Sequence, residues 1–391
     1  LSLHPSILPP TPMRFLHTAD WHLGRLLHKQ HLTADQAHVL DQFVEAAHTY
    51  EPDAVIVAGD IYDRAVPPSD AVEVLDRTLS RLVVDAGLPV IMIAGNHDSP
   101  DRLDFGSSIL ERQGLHVLCN PRTNPIVLED AHGPVYIAGL PYAQPAEARQ
   151  VFDTEAPIRS HEAVVSAQLD HLRPQIPTDA RSIAVAHIFA QRGTVGESER
   201  TLVGGAETVP TTLFDGFDYV TLGHLHKRQQ AGGAHIRYAG SPMKYSFSEH
   251  NHTKSFFVVD MDAEGTCTVK AVPFEPRRDL RCIEGSFREV LNQGANAPHA
   301  DDYVQITLTN RGPVTDAMAR LREVYPNCLH VTFPKVDLDA DDDLVPPKET
   351  DTPADIFREF YRYATGSRLD EDDAALLQTA LDRVESNRRN A

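Results

Sequence analysis

Apolar residues along this chain follow two rhythms. Five short runs, most of them rich in Val and Ile and none with helical spacing, read as buried strands. They are Arg14-Phe15-Leu16, Ala54-Val55-Ile56-Val57, Pro89-Val90-Ile91-Met92-Ile93, Ser182-Ile183-Ala184-Val185 and Asp218-Tyr219-Val220-Thr221-Leu222. Other stretches place apolar residues three and four apart, as amphipathic helices do. Asp35 to His48 offers Val39, Leu40, Phe43, Val44 and Ala47; Pro68 to Val84 offers Ala71, Val72, Leu75, Leu79, Leu82 and Val83. Strands and helices alternate from Met13 to about Pro145, which predicts an α/β fold. After His226, the runs Ile236 to Ala239 and Phe256 to Val259 predict an antiparallel second sheet, giving two β-sheets flanked by helices.

A second unit is expected to begin near Val272. Tyr303 to Leu308 alternates as a strand, Asp316 to Tyr325 has helical spacing, and Leu329 to Phe333 reads as another strand. From Val336 to Pro353 the chain is rich in Asp and Pro, with an acidic run from Asp337 to Asp343, and reads as a linker. Two amphipathic helices should follow, one with Ile356, Phe357, Phe360 and Tyr361 on its stripe, the other with Ala375, Leu376, Leu377, Ala380, Leu381 and Val384. The expected boundaries are 13–271, 272–335, 336–354 and 355–391. Short helices beyond a linker have little core of their own, so their stripes should meet a partner or fold back onto the chain.

Each of the five strands runs into a polar cluster. The clusters are Asp20-Trp21-His22, Gly59-Asp60 with Asp63-Arg64, Gly95-Asn96-His97-Asp98, His187, and Gly223-His224-Leu225-His226. Sites in α/β sheets lie beyond the carboxyl ends of strands, so five such loops can converge on one rim. Aspartates, histidines and an asparagine form the ligand set that holds two divalent metals side by side. With 20 His and 56 acidic residues, a lone Asp-x-His would more simply be a solvated turn. His17 and His116 read as packing or surface residues. The shared strand-to-loop context is what favours metal.

These motifs resemble those of the calcineurin-like metallophosphoesterases: Asp-x-His, Gly-Asp-x-x-Asp, Gly-Asn-His-Asp, His and Gly-His-x-His. The stretches Met13 to Gly24, Gly95 to Ser99, Leu222 to His226 and Gly240 to Glu249 are similar to the SbcD branch of that superfamily, the bacterial counterparts of the Mre11 nuclease. The resemblance is strong over about residues 13 to 275 and weak beyond. It implies a metallophosphoesterase fold with a small α+β capping domain and a C-terminal helix-loop-helix. It implies a first metal on Asp20, His22, Asp60 and His226 and a second on Asp60, Asn96, His187 and His224, with Asp60 bridging. Two Mn²⁺ ions would suit these oxygen and imidazole ligands, with Mg²⁺ or another divalent metal as alternatives. His97 would stand beside the leaving oxygen and not bind metal. The implied partners are DNA, the coiled coil of an SbcC-like SMC ATPase for the C-terminal helices, and a second copy, since related chains use helices near 68–84 for a symmetric dimer. A helix simply covering the sheet is the other reading of 68–84.

Asp63 lies three residues after Asp60, and its carboxylate could accept a hydrogen bond from His97 and fix its tautomer. Archaeal and eukaryotic relatives carry a histidine at this place. Capping of the next helix is the plainer role for Asp63.

Charge changes the picture of the substrate. Against 36 basic residues the 56 acidic ones leave a net charge of −20, whereas nucleic-acid binders usually show a basic face. Local cations (Arg25, Lys29, Arg64, Arg102, Lys227, Arg228, Lys244) are candidates for phosphate contacts. Cys119, Cys267, Cys282 and Cys328 are too scattered for a disulfide framework or thiolate site. No segment has the apolar length to span a bilayer. Leu1 to Pro12 is Pro-rich without a basic n-region and reads as a tag remnant or extended start. These features suit a cytoplasmic enzyme. The expected function is a Mn²⁺-dependent DNA nuclease, acting as 3′-to-5′ exonuclease and as endonuclease; polarity and substrate come from the resemblance alone. The alternatives are a phosphomonoesterase or cyclic-nucleotide phosphodiesterase, and a scaffold bridging DNA ends.

Overall fold

The computed structural model describes residues 12–154, 157–191, 193–194, 208–295, 297–310, 314–333, 352–365 and 368–389. The expected linker lies outside the described residues except at its last positions, and so does the Pro-rich start up to residue 11. The chain divides into two compact units, Leu1–Arg281 and Cys282–Ala391.

The first unit is built on two six-stranded sheets. In one, Met13–Thr18, Ala54–Val57, Val90–Ile93 and Leu115–Leu118 run parallel. Ser255–Met261 is added antiparallel to Met13–Thr18, and Cys267–Pro273 to Ser255–Met261. In the other, Gly133–Leu140, Arg181–His187, Tyr219–Gly223 and Gly233–Tyr238 run parallel. Its edges, Ile126–Asp130 and Gln229–Ala231, are antiparallel. Phe15, Ile56 and Ile91 of the first sheet share one core with Ile137, Ile183 and Tyr219 of the second. Strands covered on both faces need continuous apolar runs, which is why Ala54–Val57 and Val90–Ile93 are buried at every position. Helix Thr33–Tyr50 covers the first sheet, with Phe43 set edge-on against Phe256, ring centroids 5.2 Å apart. Helix His161–Leu172 covers the second, placing Val165, Leu169 and Leu172 against Ala184, Val220 and Ile236.

The expectation of an antiparallel second sheet after His226 is overturned. Ile236 to Tyr238 pairs parallel to Tyr219–Gly223 in the second sheet, while Phe256 to Val259 joins the first sheet beside Met13–Thr18. Alternation reveals a strand but not its neighbour, which is chosen by pairing between distant segments. The hairpin Gln229–Ala231 to Gly233–Tyr238 lets the chain turn back at the edge and return parallel without a crossover helix.

Helix Ser69–Leu79 continues as a π-helical turn, Ser80–Asp85. Its buried apolar residues are Ala71, Val74, Leu75, Leu82 and Val83, whereas Val72 is exposed. Most of the stripe is therefore spent within the chain. Among the described residues no helix is long and apolar enough to cross a membrane, and the four cysteines are free.

The second unit contains a three-stranded sheet, Leu280–Gly285, Tyr303–Leu308 and Cys328–Thr332. Phe287, Val290, Leu321 and Tyr325, from the helical stretches following two of these strands, close its core with Val304, Ile306 and Leu308. Helices Pro353–Thr365 and Glu371–Arg389 follow.

Candidate metal centre

Five parallel strands deliver their carboxyl ends to one rim, and every candidate ligand is carried there. Asp20 and His22 follow Met13–Thr18; Asp60 follows Ala54–Val57; Asn96 and His97 follow Val90–Ile93. His187 is the last residue of Arg181–His187, and His224 and His226 follow Tyr219–Gly223. The loops turn inward sharply. Asp20, His22, Asp60 and His224 have φ of 54°, 46°, 50° and 104°, left-handed backbone that side-chain-bearing residues rarely adopt and that clusters at functional sites. Gly95 and Gly223 leave no room for a side chain. A Cβ at Gly95 would overlap the backbone nitrogen and carboxylate of Asp60, and one at Gly223 would overlap the Ala58 carbonyl oxygen.

The side chains form two groups meeting at one oxygen. His22 Nε2 lies 3.0 Å from His226 Nε2, and Asp20 groups with both as a possible ion-holding triad. On the other side, Asn96 Oδ1 lies 2.9 Å from His187 Nε2 and 2.9 Å from His224 Nδ1. Asp60 Oδ2 sits 3.4 Å from His22 Nε2 and 3.4 Å from His187 Nε2. An equidistant carboxylate oxygen between two imidazole groups is the place for a bridging ligand. The donor set fits two divalent cations. Asp20 Oδ2 is buried with no hydrogen-bond partner, and paired ring nitrogens pointing at each other lose less by sharing a cation than by sharing one proton.

Backbone and outer side chains fix these groups. His187 Nδ1 lies 2.9 Å from the Ala58 carbonyl, so a proton there leaves Nε2 free as a donor to metal. Asp20 Oδ1 accepts from His224 N at 2.8 Å, and Asp60 Oδ1 from His97 N at 2.8 Å. Asp98 Oδ2 accepts from Ile61 N at 3.0 Å and Gly95 N at 2.9 Å, and its Oδ1 from Tyr62 N at 2.9 Å, tying two ligand loops together. Gln36 donates to the carbonyls of Trp21 (3.1 Å) and His22 (2.7 Å) and accepts from Gly24 N at 3.0 Å. Tyr245 donates to the Trp21 carbonyl. His226 Nδ1 lies 3.5 Å from Glu249 Oε1, and Glu249 in turn pairs with Lys254. Gln36, Asp98, Tyr245, Glu249 and Lys254 went unassigned by sequence reasoning. Asp98, Tyr245 and Glu249 sit inside the quoted motifs, but nothing in the one-dimensional pattern marks Gln36 or Lys254.

Protonation reflects burial against mutual charge. Burial pushes Asp20 up to about 6 against the pull of His187 and His226. Asp60 is held well below the usual carboxylate range because His187 and His22 together outweigh its burial. Burial lowers His22 and takes His224 to about 3, favouring the neutral imidazole that metal binding needs. His187 resists burial through Asp60 and Asp20 and rises to about 9. Asp98 is pushed up to about 7 by burial and by Asp60.

The expected pairing of the Asp63 carboxylate with His97 is corrected. His97 Nδ1 lies 2.8 Å from the Asp63 backbone carbonyl oxygen. The Asp63 carboxylate instead takes Arg25 Nη1 at 2.7 Å and stands 3.7 Å from His22 Nδ1. Facing it with arginine satisfies the charge better than a neutral imidazole could. Asp63 still helps set the His97 tautomer, through its peptide. Two of the expected phosphate-binding cations are also committed elsewhere: Arg25 to Asp63, and Lys244 to Asp279 at 2.7 Å. Lys29, Arg64, Arg102 and Lys227 remain exposed. His17 is fully buried, its Nδ1 3.3 Å from the Tyr219 hydroxyl, and His116 is half-buried, as packing residues would be. A cleft walled by Tyr142, His161 and Phe189 opens beside Asn96, His187 and His224.

A family profile described as calcineurin-like phosphoesterase matches residues 13–228, from the first strand through the last histidine motif. The chain belongs to this family. A second profile, described as type 5 capsule protein repressor C-terminal domain and labelled for SbcD, matches residues 276–365. Together the two matches make this an SbcD-like member of the metallophosphoesterases, in the Mre11 group. Solved structures similar to the chain include a Thermus thermophilus protein, 17% identical, with a TM-score of 0.42 over 67% of this chain and 99% of that one. A dimetal phosphatase from Danio rerio is 12% identical, with a TM-score of 0.40 over 68% and 96%. A phosphatase from Mycoplasma pneumoniae is 11% identical, with a TM-score of 0.37 over 69% and 96%. The chain is thus a metal-dependent phosphoesterase by family, with a candidate centre for two divalent ions.

Proposed function

We propose that the chain is a DNA nuclease, hydrolysing phosphodiesters with two divalent ions, Mn²⁺ in the first instance, in a complex with an SbcC-like ATPase. The observation that carries this reading is the joining of a two-metal phosphoesterase rim to an SbcD-type C-terminal domain in one chain. Asp20, His22, Asp60 and His226 would hold one ion and Asp60, Asn96, His187 and His224 the other. Such ions supply Lewis-acid charge to a phosphoryl group and activate water. Asp60 and Asp20 keep the pair of sites anionic enough to retain cations, and the Ala58 carbonyl holds His187 in its ligating tautomer. His97, fixed at Nδ1 by the Asp63 carbonyl, would stabilise or protonate a departing oxygen through Nε2. Exonucleolytic 3′-to-5′ and endonucleolytic cleavage, a cytoplasmic site of action and a homodimer belong to the same reading.

The C-terminal helices supply its partner surface. Ile356, Phe357 and Phe360 on one helix, and Leu376 and Val384 on the next, are all more than 40% exposed, which is costly unless something covers them. A coiled-coil root of the ATPase is the proposed cover. A phosphomonoesterase would suit the net charge of −20 but gives the C-terminal domain no role. The deciding experiment incubates the purified chain and Mn²⁺ with end-labelled duplex DNA and, separately, with p-nitrophenyl phosphate. Cleavage of DNA in preference to the monoester is expected, and hydrolysis of the monoester alone would overturn the proposal.

A further inference from the structure

Behind His226 stands a pair of charged residues that the reaction does not require to touch substrate. Glu249 is 1% exposed and Lys254 7%, a degree of burial charged side chains reach only when paired. Lys254 Nζ donates to Glu249, to the His226 carbonyl at 2.8 Å and to Ser241 Oγ at 2.8 Å. Glu249 Oε1 in turn faces His226 Nδ1 at 3.5 Å. A carboxylate on Nδ1 keeps the proton there and turns Nε2 toward His22 Nε2 and Asp20, where the first ion would sit.

The two ligand sets are therefore built unequally. The first has Asp20 as a carboxylate besides the shared Asp60, 4.0 Å from His187 at Nδ1 and not at the Nε2 that faces Asn96, and Glu249 behind one of its histidines. A second carboxylate, Asp63, stands 3.7 Å from Nδ1 of the other, His22. The second set adds to Asp60 only neutral Asn96 and two histidines, and His187 is backed by a peptide carbonyl. We infer that Glu249 and Lys254 are positioning residues for the first ligand set, and that this set takes its divalent ion first and more tightly than the second. Glu249 orients His226, and Lys254 holds Glu249 while anchoring the His226 backbone. The first ion is resident, and the second exchanges with the medium. This inference rests on the ligand sets proposed above.

The test is a Mn²⁺ titration of the full chain stripped by chelator, followed by calorimetry and by the electron paramagnetic resonance of free Mn²⁺, so that no turnover is read. The unaltered chain should bind two ions with separate constants. In Glu249→Gln the tighter constant should weaken by about 10- to 100-fold, the usual cost of losing an outer partner of a metal-bound histidine, with the weaker constant unchanged. Should Glu249→Gln fail to fold because Lys254 is left unpaired, the double variant Glu249→Gln/Lys254→Met removes the pair together and should show the same selective loss. A merely structural pair would leave both constants alone or weaken both alike, and either result overturns the inference. Two equal sites in the unaltered chain would overturn the order of loading. Fewer than two bound ions would instead overturn the ligand sets themselves, and the inference with them.

Discussion

Replacing Asp98 by alanine should loosen the metal centre without removing any of its proposed ligands. The Asp98 carboxylate is buried and accepts three backbone N–H bonds, from Ile61, Tyr62 and Gly95. Alanine would leave all three donors without their acceptor in a place with little room for water. A buried donor that loses its partner costs about 1–3 kcal/mol, so three cost about 3–6 kcal/mol once some relaxation is allowed. At about 2–4 °C per kcal/mol for a unit of this size, the melting temperature should fall by about 6–24 °C. Asparagine is the discriminating variant. Its amide oxygen can keep the place of Oδ2 and hold Ile61 and Gly95, while its NH₂ group opposes Tyr62 N, for a cost of about 1–3 kcal/mol. Circular dichroism melts of the two variants beside the parent chain provide the measurement, with elemental analysis of bound metal on the same samples. The alanine variant should also lose metal, because the Gly59-Asp60 and Gly95-Asn96 loops are no longer fastened together, and the asparagine variant, which still joins Ile61 to Gly95, should lose less. An Asp98→Ala chain that melts with the parent, or an asparagine variant as damaged as the alanine one, would refute this accounting.

Asp60→Asn removes the charge between the two ligand sets and should abolish cleavage while lowering metal content, checked by gel assay and elemental analysis; full activity with two ions bound would exclude Asp60 as the bridge. His97→Leu should keep both ions and lose about 10²-fold or more in turnover, and loss of an ion would make His97 a ligand. Because the Asp63 peptide and not its carboxylate holds His97, Asp63→Asn combined with His97→Leu should give additive losses in turnover; strong non-additivity would restore a carboxylate–imidazole partnership. Deleting residues 352–391 should leave Mn²⁺-dependent cleavage by the isolated chain unchanged and abolish co-purification with an SbcC-like ATPase, and retained co-purification would place the partner surface elsewhere.

What the sequence made legible is the part written locally. Val and Ile runs with polar ends announce buried strands and their loops, since a strand covered on both faces has no alternation to hide it, and the motif order brought all seven candidate ligands to one rim. Pairing partners were not legible. Phe256 to Val259 announces a strand yet says nothing of Met13–Thr18, to which it hydrogen-bonds across most of the chain. The same limit hid Lys254 and Gln36, whose roles depend on carbonyls brought to them by folding. Asp63 shows it most sharply. Its spacing suggested a carboxylate aimed at His97, but a peptide carbonyl can reach as well as a side chain, and Arg25 competed successfully for the carboxylate.

The clearance at Gly95 and Gly223 bears on how this chain could be evolved in the laboratory. Any side chain at these positions would press on the Asp60 backbone or the Ala58 carbonyl, so libraries that randomise the ligand loops should return almost nothing active. Useful variation has to come from the walls around the rim, such as Tyr142, His161 and Phe189, whose side chains line open space beside the ligands without carrying them. Selectivity among phosphoesters is thus the adjustable property of this scaffold, and the ion-binding chemistry its fixed one.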